Sequence, residues 1–345
     1  MSSYKATVLT HLEIPPNGTL NSELPYIIDD FSLAMHLGVR CKTLWYLIWT
    51  KARVYNVFTI PKASGKPRVI HSPNPVLKFI QRRIDQVILK KLPLLNCVGA
   101  YVTGKSCRDT AIQHVGQGVR IAMDLKDFFP SHSRACVRNY LKTVGYSHFV
   151  SGILADLCTA GFDIDTQTGT RKRHAVPQGS PASPSLCNLI AQESLDKQVL
   201  AELGPHGWTY TRYSDDLSLS HPDDLTNQEV DYVIQRMRQL IEAAGYRTNP
   251  QKTKVQRRWR RQKMLGMVVN EKTSIPRDVY RKYRSLLYNC VKNGWEVNAA
   301  RYGCDTVESF PSHLQGKISY FHSIDPVKAA KLKARLDEAM AKHGI

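Results

Sequence analysis

Residues 210–220 read YTRYSDDLSLS, and the reading of this stretch decides the fold. Tyr210, Tyr213, Leu217 and Leu219, with small hydroxyls between them, have the composition of a β-strand. Two adjacent carboxylates, Asp215 and Asp216, stand in its middle. Like charges side by side repel, and an unpaired buried carboxylate is costly, so strands rarely accept acids there. The pair fits better where a tight hairpin turn falls, and something must still offset the two charges.

A second acid-bearing run supplies a partner. VRIAMDLKDFFPS (119–131) reads as a buried strand delivering Asp124 at its end, then a turn closing at Pro130. If the two strands are neighbours, Asp124, Asp215 and Asp216 converge at one edge of a sheet. Three carboxylates together call for cations, and magnesium prefers one or two carboxylates, waters and substrate phosphates. Two such ions can activate an attacking oxygen and stabilise a leaving one, the logic of nucleotidyl transfer. The plainer reading is a pair of turn acids and a helix-capping Asp124, and spacing alone does not choose between them.

The 345 residues carry 48 Lys and Arg against 29 Asp and Glu, a net charge of +19. That excess implies a polyanionic partner, nucleic acid before an anionic membrane surface, because no basic amphipathic helix with a bulky apolar face is visible. No run of eighteen apolar residues or secretory signal is found, so neither a membrane span nor export is expected. The eight cysteines are scattered without a CxxC pair, which points to reduced thiols in a cytoplasm.

Elsewhere the pattern is mixed. Two short helices are expected within 29–49, broken near Gly38, then a hairpin over 55–73 and a helix from Pro75 to Leu92. Residues 133–157 read as helical. A polar loop, DIDTQTGTRKRHAV, follows, then a proline-punctuated turn and long helix. Thr226 to Ala244 is another helix, and the basic run QKTKVQRRWRRQK (251–263) carries Trp259. The tail is a basic helix with Asp325 as N-cap, Pro326 in the first turn and Gly344 past its end. The strands are too few and too separated for a doubly wound sheet, so the class is α+β.

Two motifs compete with this reading. GAYVTGKS (99–106) satisfies the phosphate-loop pattern, with Lys105 on the phosphates and Asp124 as a magnesium-holding acid. The preceding KKLPLLNCV is a poor core strand, so a glycine-containing turn with a surface lysine is the better reading. DIDTQTG resembles a calcium loop, but its twelfth position is His174 and its central glycine is missing.

Taken in order, KPRVIHSP, GAYVTGKSCRDTAIQH, IAMDLKDFFPS, VPQGSPASPSLCNLI, YTRYSDDLSLS, NPQKTK and QKMLGMVV resemble the reverse transcriptases, specifically the bacterial retron type, from residue 30 to 290. The resemblance implies a right-hand polymerase: an N-terminal region and fingers over 1–115, a palm over 116–270 with part of the fingers at 133–177, and a basic helical thumb over 271–345. It implies catalytic positions at Asp124, Asp215 and Asp216, two Mg²⁺ ions held there, and Lys252 as a proton donor to pyrophosphate or a phosphate contact. Alternation along a strand points Asp216 away from Asp215, so its ligand role is the weaker.

The resemblance further places Phe129 where a ring blocks a ribose 2′-hydroxyl. Lys66 and Arg68 fall on the finger hairpin that binds the dNTP triphosphate, Gln178 and Gly179 line the nucleotide and template pocket, and Leu265 and Gly266 form the primer grip. Arg257, Arg258, Trp259, Arg260 and Arg261 read as a nucleic-acid backbone contact, since Arg and Trp suit phosphate and base stacking. His114 is either a nucleic-acid contact or a core histidine.

The family has Ala where this chain has Ser214, NAxxH where it has Thr110 to His114, and VTG where it has Met264 to Gly266. The last two elements go with the retron's own RNA. The implied partners are a structured non-coding RNA serving as template and primer, an RNA–DNA product and a separate effector protein in anti-phage defence. Intron-type or abortive-infection reverse transcriptases, a P-loop ATPase and a non-catalytic RNA-binding protein are the alternatives. The short stretch after the thumb counts against the intron type.

Overall fold

The computed structural model describes residues 23–50, 54–61, 67–166, 169–302, 304 and 306–343. Ten strands occur among them: β1 (Tyr55–Pro61), β2 (Pro67–Pro73), β3 (Val119–Asp124), β4 (Ala160–Thr166), β5 (Gly169–Ala175), β6 (Thr209–Tyr213), β7 (Asp216–His221), β8 (Lys254–Arg257), β9 (Lys263–Met264) and β10 (Met267–Val268). The four that matter form one antiparallel sheet in the order β6-β7-β3-β8. The remaining strands make three separate hairpins, β1-β2, β4-β5 and β9-β10.

Alternation divides the central sheet into two faces. Val119, Ile121 and Met123 of β3 and Leu217 and Leu219 of β7 join the main core, with Leu186, Leu189, Val230, Met237 and Ile241 from helices Ser183–Ala191 and Asn227–Ala243. The second of these helices starts on a capping box, Thr226 with Glu229. Cross-strand partners share a face, so Arg120 and Asp124 lie with Ser220, Ser218 and Asp216, and beyond them with Thr209, Thr211 and Tyr213. On β3 and β7 one face is thus hydrocarbon, and the other carries hydroxyls and charges.

The helices Arg277–Asn293, Ser309–Ile324 and Pro326–His343 build a second core. Leu287, Phe310, Leu314, Leu332 and Leu336 pack there with Met264 and Met267 of the β9-β10 hairpin. Asp325 caps the last helix through Lys328 N, as its sequence promised, whereas Gly344 lies outside the described residues. None of the eight cysteines, all of them among the described residues, forms a disulfide. Among the described residues no helix is long and apolar enough to cross a membrane.

One segment departs from expectation. The polar stretch read as a loop, 163–176, is largely the β4-β5 hairpin, with Phe162 opposite Arg173 and Ala160 opposite Ala175. Backbone pairing carries this hairpin, and its charged composition hid it from a reading based on apolar alternation.

Two buried histidines make the fold sensitive to acid. Burial holds His114 down to about 3, helped by the Arg120 charge, and burial holds His132 down to about 4. The unfolded chain takes up both protons near 6.5. Because the folded values are depressed, stability is fully present above 6.5 and falls as the pH drops below it. The loss is about 1.4 kcal/mol per histidine per pH unit down to the folded value. The urea midpoint is therefore expected to fall between pH 7 and pH 4.5; a midpoint unchanged over that range contradicts the buried neutral assignment.

Candidate active site

The turn between β6 and β7 has two central residues, Ser214 and Asp215, flanked by the paired Tyr213 and Asp216. Ser214 sits at φ +61° and Asp215 is not at positive φ, the sign pattern of a type II′ turn. A turn with this twist joins the strands directly and carries Asp215 past the sheet's end. Asp124 is the last residue of β3 and lies opposite Asp216. Leu125 N donates to Asp215 O at 2.9 Å and Asn249 N to Asp124 O at 2.9 Å, so the backbones of both acids are pinned. Lys252 Nζ donates to Asp124 Oδ2 at 2.7 Å.

These placements change the reading of Asp216. The alternation argument treated it as a strand neighbour of Asp215, but Asp215 belongs to the turn. Asp216 is the first strand residue, and its register puts it on the face of Asp124.

The acids disturb one another. Asp215's carboxyl is raised by burial and by Asp124, against its own backbone hydrogen bond and the Lys252 ammonium. Asp216 is pushed up to about 6 by desolvation, then by the charges of Asp215 and Asp124, with Lys252 and Arg120 opposing. Lys252 is raised by its hydrogen bond to Asp124 and by all three carboxylates. Uncompensated negative charge at the end of one sheet is what a divalent cation relieves, and an all-oxygen donor set suits magnesium. Among the described residues no three His, Cys, Asp or Glu side chains close around a single point as a metal cage would. The residues fit an ion that completes its shell with water and substrate phosphate.

The other expected site residues are distributed as follows. Phe129 lies in the short helix Phe128–Ser131, half-buried, between Phe128 at 5.6 Å and Tyr101 at 6.4 Å. Gln178 and Gly179 are tied to the first hairpin, since His71 N donates to Gln178 O at 2.8 Å. Gly179 has φ +117°, and a Cβ there would stand 2.7 Å from His71 O. Gly179→Ala is thus expected to push β2 off this turn and destabilise the protein by about 1–3 kcal/mol. A melting temperature equal to wild type would count against this packing. Arg68 is exposed on β2, and Lys66 lies outside the described residues. Leu265 and Gly266, at φ +47° and +82°, form the two-residue turn between β9 and β10. Both central residues at positive φ is the type I′ pattern, which a leucine tolerates only under strain.

The arginines of the basic run, unlike Lys252 at its start, are not beside the acids. Arg257 pairs with Val119, at the opposite end of β3 from Asp124, roughly 17 Å away at the usual rise per residue. Arg257 is occupied by Leu225 O, Asn227 and Asp224, and Arg261 pairs with Asp278. Arg258, Trp259 and Arg260 are exposed, Trp259 with the Arg257 guanidinium 5.9 Å from its ring. His114 corrects an expectation: it is wholly buried, its ring nitrogens 2.7 Å from Ser220 Oγ and Thr211 Oγ1, so it braces the polar face and presents nothing to nucleic acid. The glycine-rich motif also resolves. Lys105 Nζ donates to Asn96 O and Val98 O, closing its own loop, and the residues before Gly99 make one bridge to Arg212 rather than a strand.

The residue missed from sequence is Arg212, a fully buried side chain beneath the acid turn. Asp196 binds its Nε and Nη2 at 2.7–3.0 Å, and Asn188 Oδ1 accepts from Nη1 at 2.8 Å. Tyr210 OH donates to the same Asp196. A signal existed, because Arg212 shares the inward phase of β6 with Tyr210 and a buried guanidinium demands an acid.

Comparison with known proteins gives the chain a family. Residues 60–269 match the family model described as reverse transcriptase (RNA-dependent DNA polymerase). The chain is 33% identical over 298 residues to the retron Mx65 reverse transcriptase of Myxococcus xanthus, covering 83% of this chain and 65% of that protein. It is 33% identical over 330 residues to the Mx162 enzyme of the same organism, covering 89% and 66%. To the retron Ec86 reverse transcriptase of Escherichia coli it is 27% identical over 325 residues, covering 92% and 90%. The chain thus spans about two thirds of the length of the two Myxococcus relatives. Its α+β architecture is that of a right-hand polymerase, and the chain belongs to the reverse transcriptase family, with relatives of the bacterial retron type.

Proposed function

We propose that this protein is an RNA-directed DNA polymerase that copies a structured non-coding RNA from dNTPs. In the retron manner it primes from a 2′-hydroxyl of that RNA and yields branched, RNA-linked single-stranded DNA. The observation that carries the reading is the gathering of Asp124, Asp215, Asp216 and Lys252 at one end of the central sheet, in a chain of this family.

Asp124, Asp215 and Asp216 would hold two magnesium ions, which supply activation of the attacking oxygen and stabilisation of the leaving one. The remaining roles fall to side chains. Lys252 Nζ carries a proton 2.7 Å from Asp124 and reaches the pyrophosphate side of the site once that carboxylate is otherwise engaged. Arg68 takes the triphosphate with its forked guanidinium, and Lys66 adds charge on the same hairpin. Gln178 and Gly179 border the nucleotide, Phe129 bars a ribose 2′-hydroxyl, and the Leu265–Gly266 turn supports the primer end. Arg258, Trp259 and Arg260 hold the RNA at a distance from the chemistry. In the cell, the product and a separate effector protein would form an anti-phage defence unit in the cytoplasm.

Sequencing the nucleic acid that co-purifies with the protein tests this reading. A covalent 2′–5′ RNA–DNA species is expected. Its absence from an active enzyme contradicts the retron assignment and favours an intron-type or abortive-infection enzyme with another template.

A further inference from the structure

Tyr101 is held in a conformation that its own packing does not explain. Its φ is +60°, a region where an aromatic L-residue is an outlier. Its side chain is 53% exposed, so core contacts are not what keeps it there. The surrounding backbone does. Gly99 N donates to Arg212 O at 2.9 Å and Arg212 N to Cys97 O at 2.8 Å. Asn188 Nδ2 donates to Ala100 O at 2.7 Å, and Lys105 Nζ closes the loop on Asn96 O and Val98 O. The loop is therefore clamped to β6 immediately before the acid turn, and the same Arg212 and Asn188 that support that turn also support Tyr101.

Strain that survives because its surroundings over-determine it, at an exposed residue on a loop fastened to the acid-bearing hairpin, points to a ligand contact. The ring's position says which part of the ligand. It stands 6.4 Å from Phe129, at 62° between the planes, and Phe129 is five residues beyond Asp124. The loop before Tyr101 is fastened by Gly99 N to Arg212 O, one residue ahead of Tyr213, the cross-strand partner of Asp216. Tyr101 thus stands beside Phe129 on a loop fastened to the strand that leads into Asp215 and Asp216.

We infer that Tyr101 is a specificity-determining residue whose ring, with that of Phe129, walls the sugar of an incoming deoxynucleoside triphosphate. The C2′ methylene packs against the two aromatic edges. A 2′-hydroxyl would enter a space that offers it neither room nor an acceptor. The inference rests on the polymerase reading and on the place of Phe129 within it.

The test uses the purified full-length protein with an RNA template, an annealed DNA primer and Mg²⁺. KM and kcat are measured for dGTP and GTP on wild type, Tyr101→Phe and Tyr101→Gly. Glycine adopts positive φ without strain, so Tyr101→Gly is expected to melt no lower than wild type. Its KM for dGTP should rise about tenfold, with the loss carried by KM rather than kcat, and its preference for dGTP over GTP should fall about tenfold. Tyr101→Phe, which restores the ring, should retain the preference. An active protein in which Tyr101→Gly leaves both the KM and the preference at wild-type values overturns the inference alone. A change confined to the KM for primer–template also overturns it, since the ring would then stack on a template base. A wild type that incorporates neither nucleotide overturns the polymerase reading itself, and this inference with it.

Discussion

Asp215→Asn is expected to lower nucleotide incorporation by at least about a thousandfold, some 4 kcal/mol of transition-state stabilisation, without unfolding the protein. The argument lies in where the residue stands. Asp215 is the second central residue of a tight turn and is pinned through its carbonyl by Leu125 N, a bond that asparagine keeps. Its carboxyl is raised by burial and by Asp124, so removing its charge relieves repulsion in the metal-free protein. The variant should therefore melt at or above the wild-type temperature while losing a ligand for the divalent ion. Steady-state dNTP incorporation and thermal melting on the same preparation read both effects. Retained activity, or a large fall in melting temperature, contradicts the assigned role.

Asp196→Asn should be the most destabilising conservative change in the chain, costing about 3–5 kcal/mol. Both Asp196 and Arg212 have no accessible side-chain surface, and the carboxylate holds Arg212 through three contacts as well as the Tyr210 hydroxyl. The amide leaves a buried guanidinium without its counter-charge and offers a donor where only acceptors are wanted. Removing both partners is different: Asp196→Leu combined with Arg212→Met deletes the two charges together and should recover much of the lost stability. Urea unfolding of the single and double variants decides it. A double variant as unstable as Asp196→Asn would show that the charge pair is not what holds this region. The double variant should nevertheless be a poor polymerase, because Arg212 Nη1 also reaches Ser214 O and Asn188 holds the Tyr101 loop.

What could be read from the sequence was what periodicity and turn chemistry control. The hairpin at Ser214–Asp215 followed from acids placed where strands refuse them, and the neighbouring β3 strand followed from a buried run ending at Asp124. The core helices and the Asp325 cap were visible for the same reason. What escaped depended on partners distant in sequence. Arg212 sits inside a strand motif and gave no local hint of Asp196, sixteen residues earlier on a π-helical turn. His114 lost its surface role because Thr211 and Ser220, about a hundred residues away, close over it. The β4-β5 hairpin escaped because its strands are polar. The basic run was visible as charge, but only the register of β8 against β3 showed that Arg257 and the residues after it stand at the far end of β3 from Asp124.

Primer extension by the wild-type protein, with labelled dNTPs on an RNA template, tests the central claim most directly. DNA synthesis that requires the RNA template and added Mg²⁺, and disappears in Asp124→Asn, is the expected result. A folded wild-type protein that incorporates no dNTP on any RNA template, or an Asp124→Asn variant that still extends the primer, would contradict it.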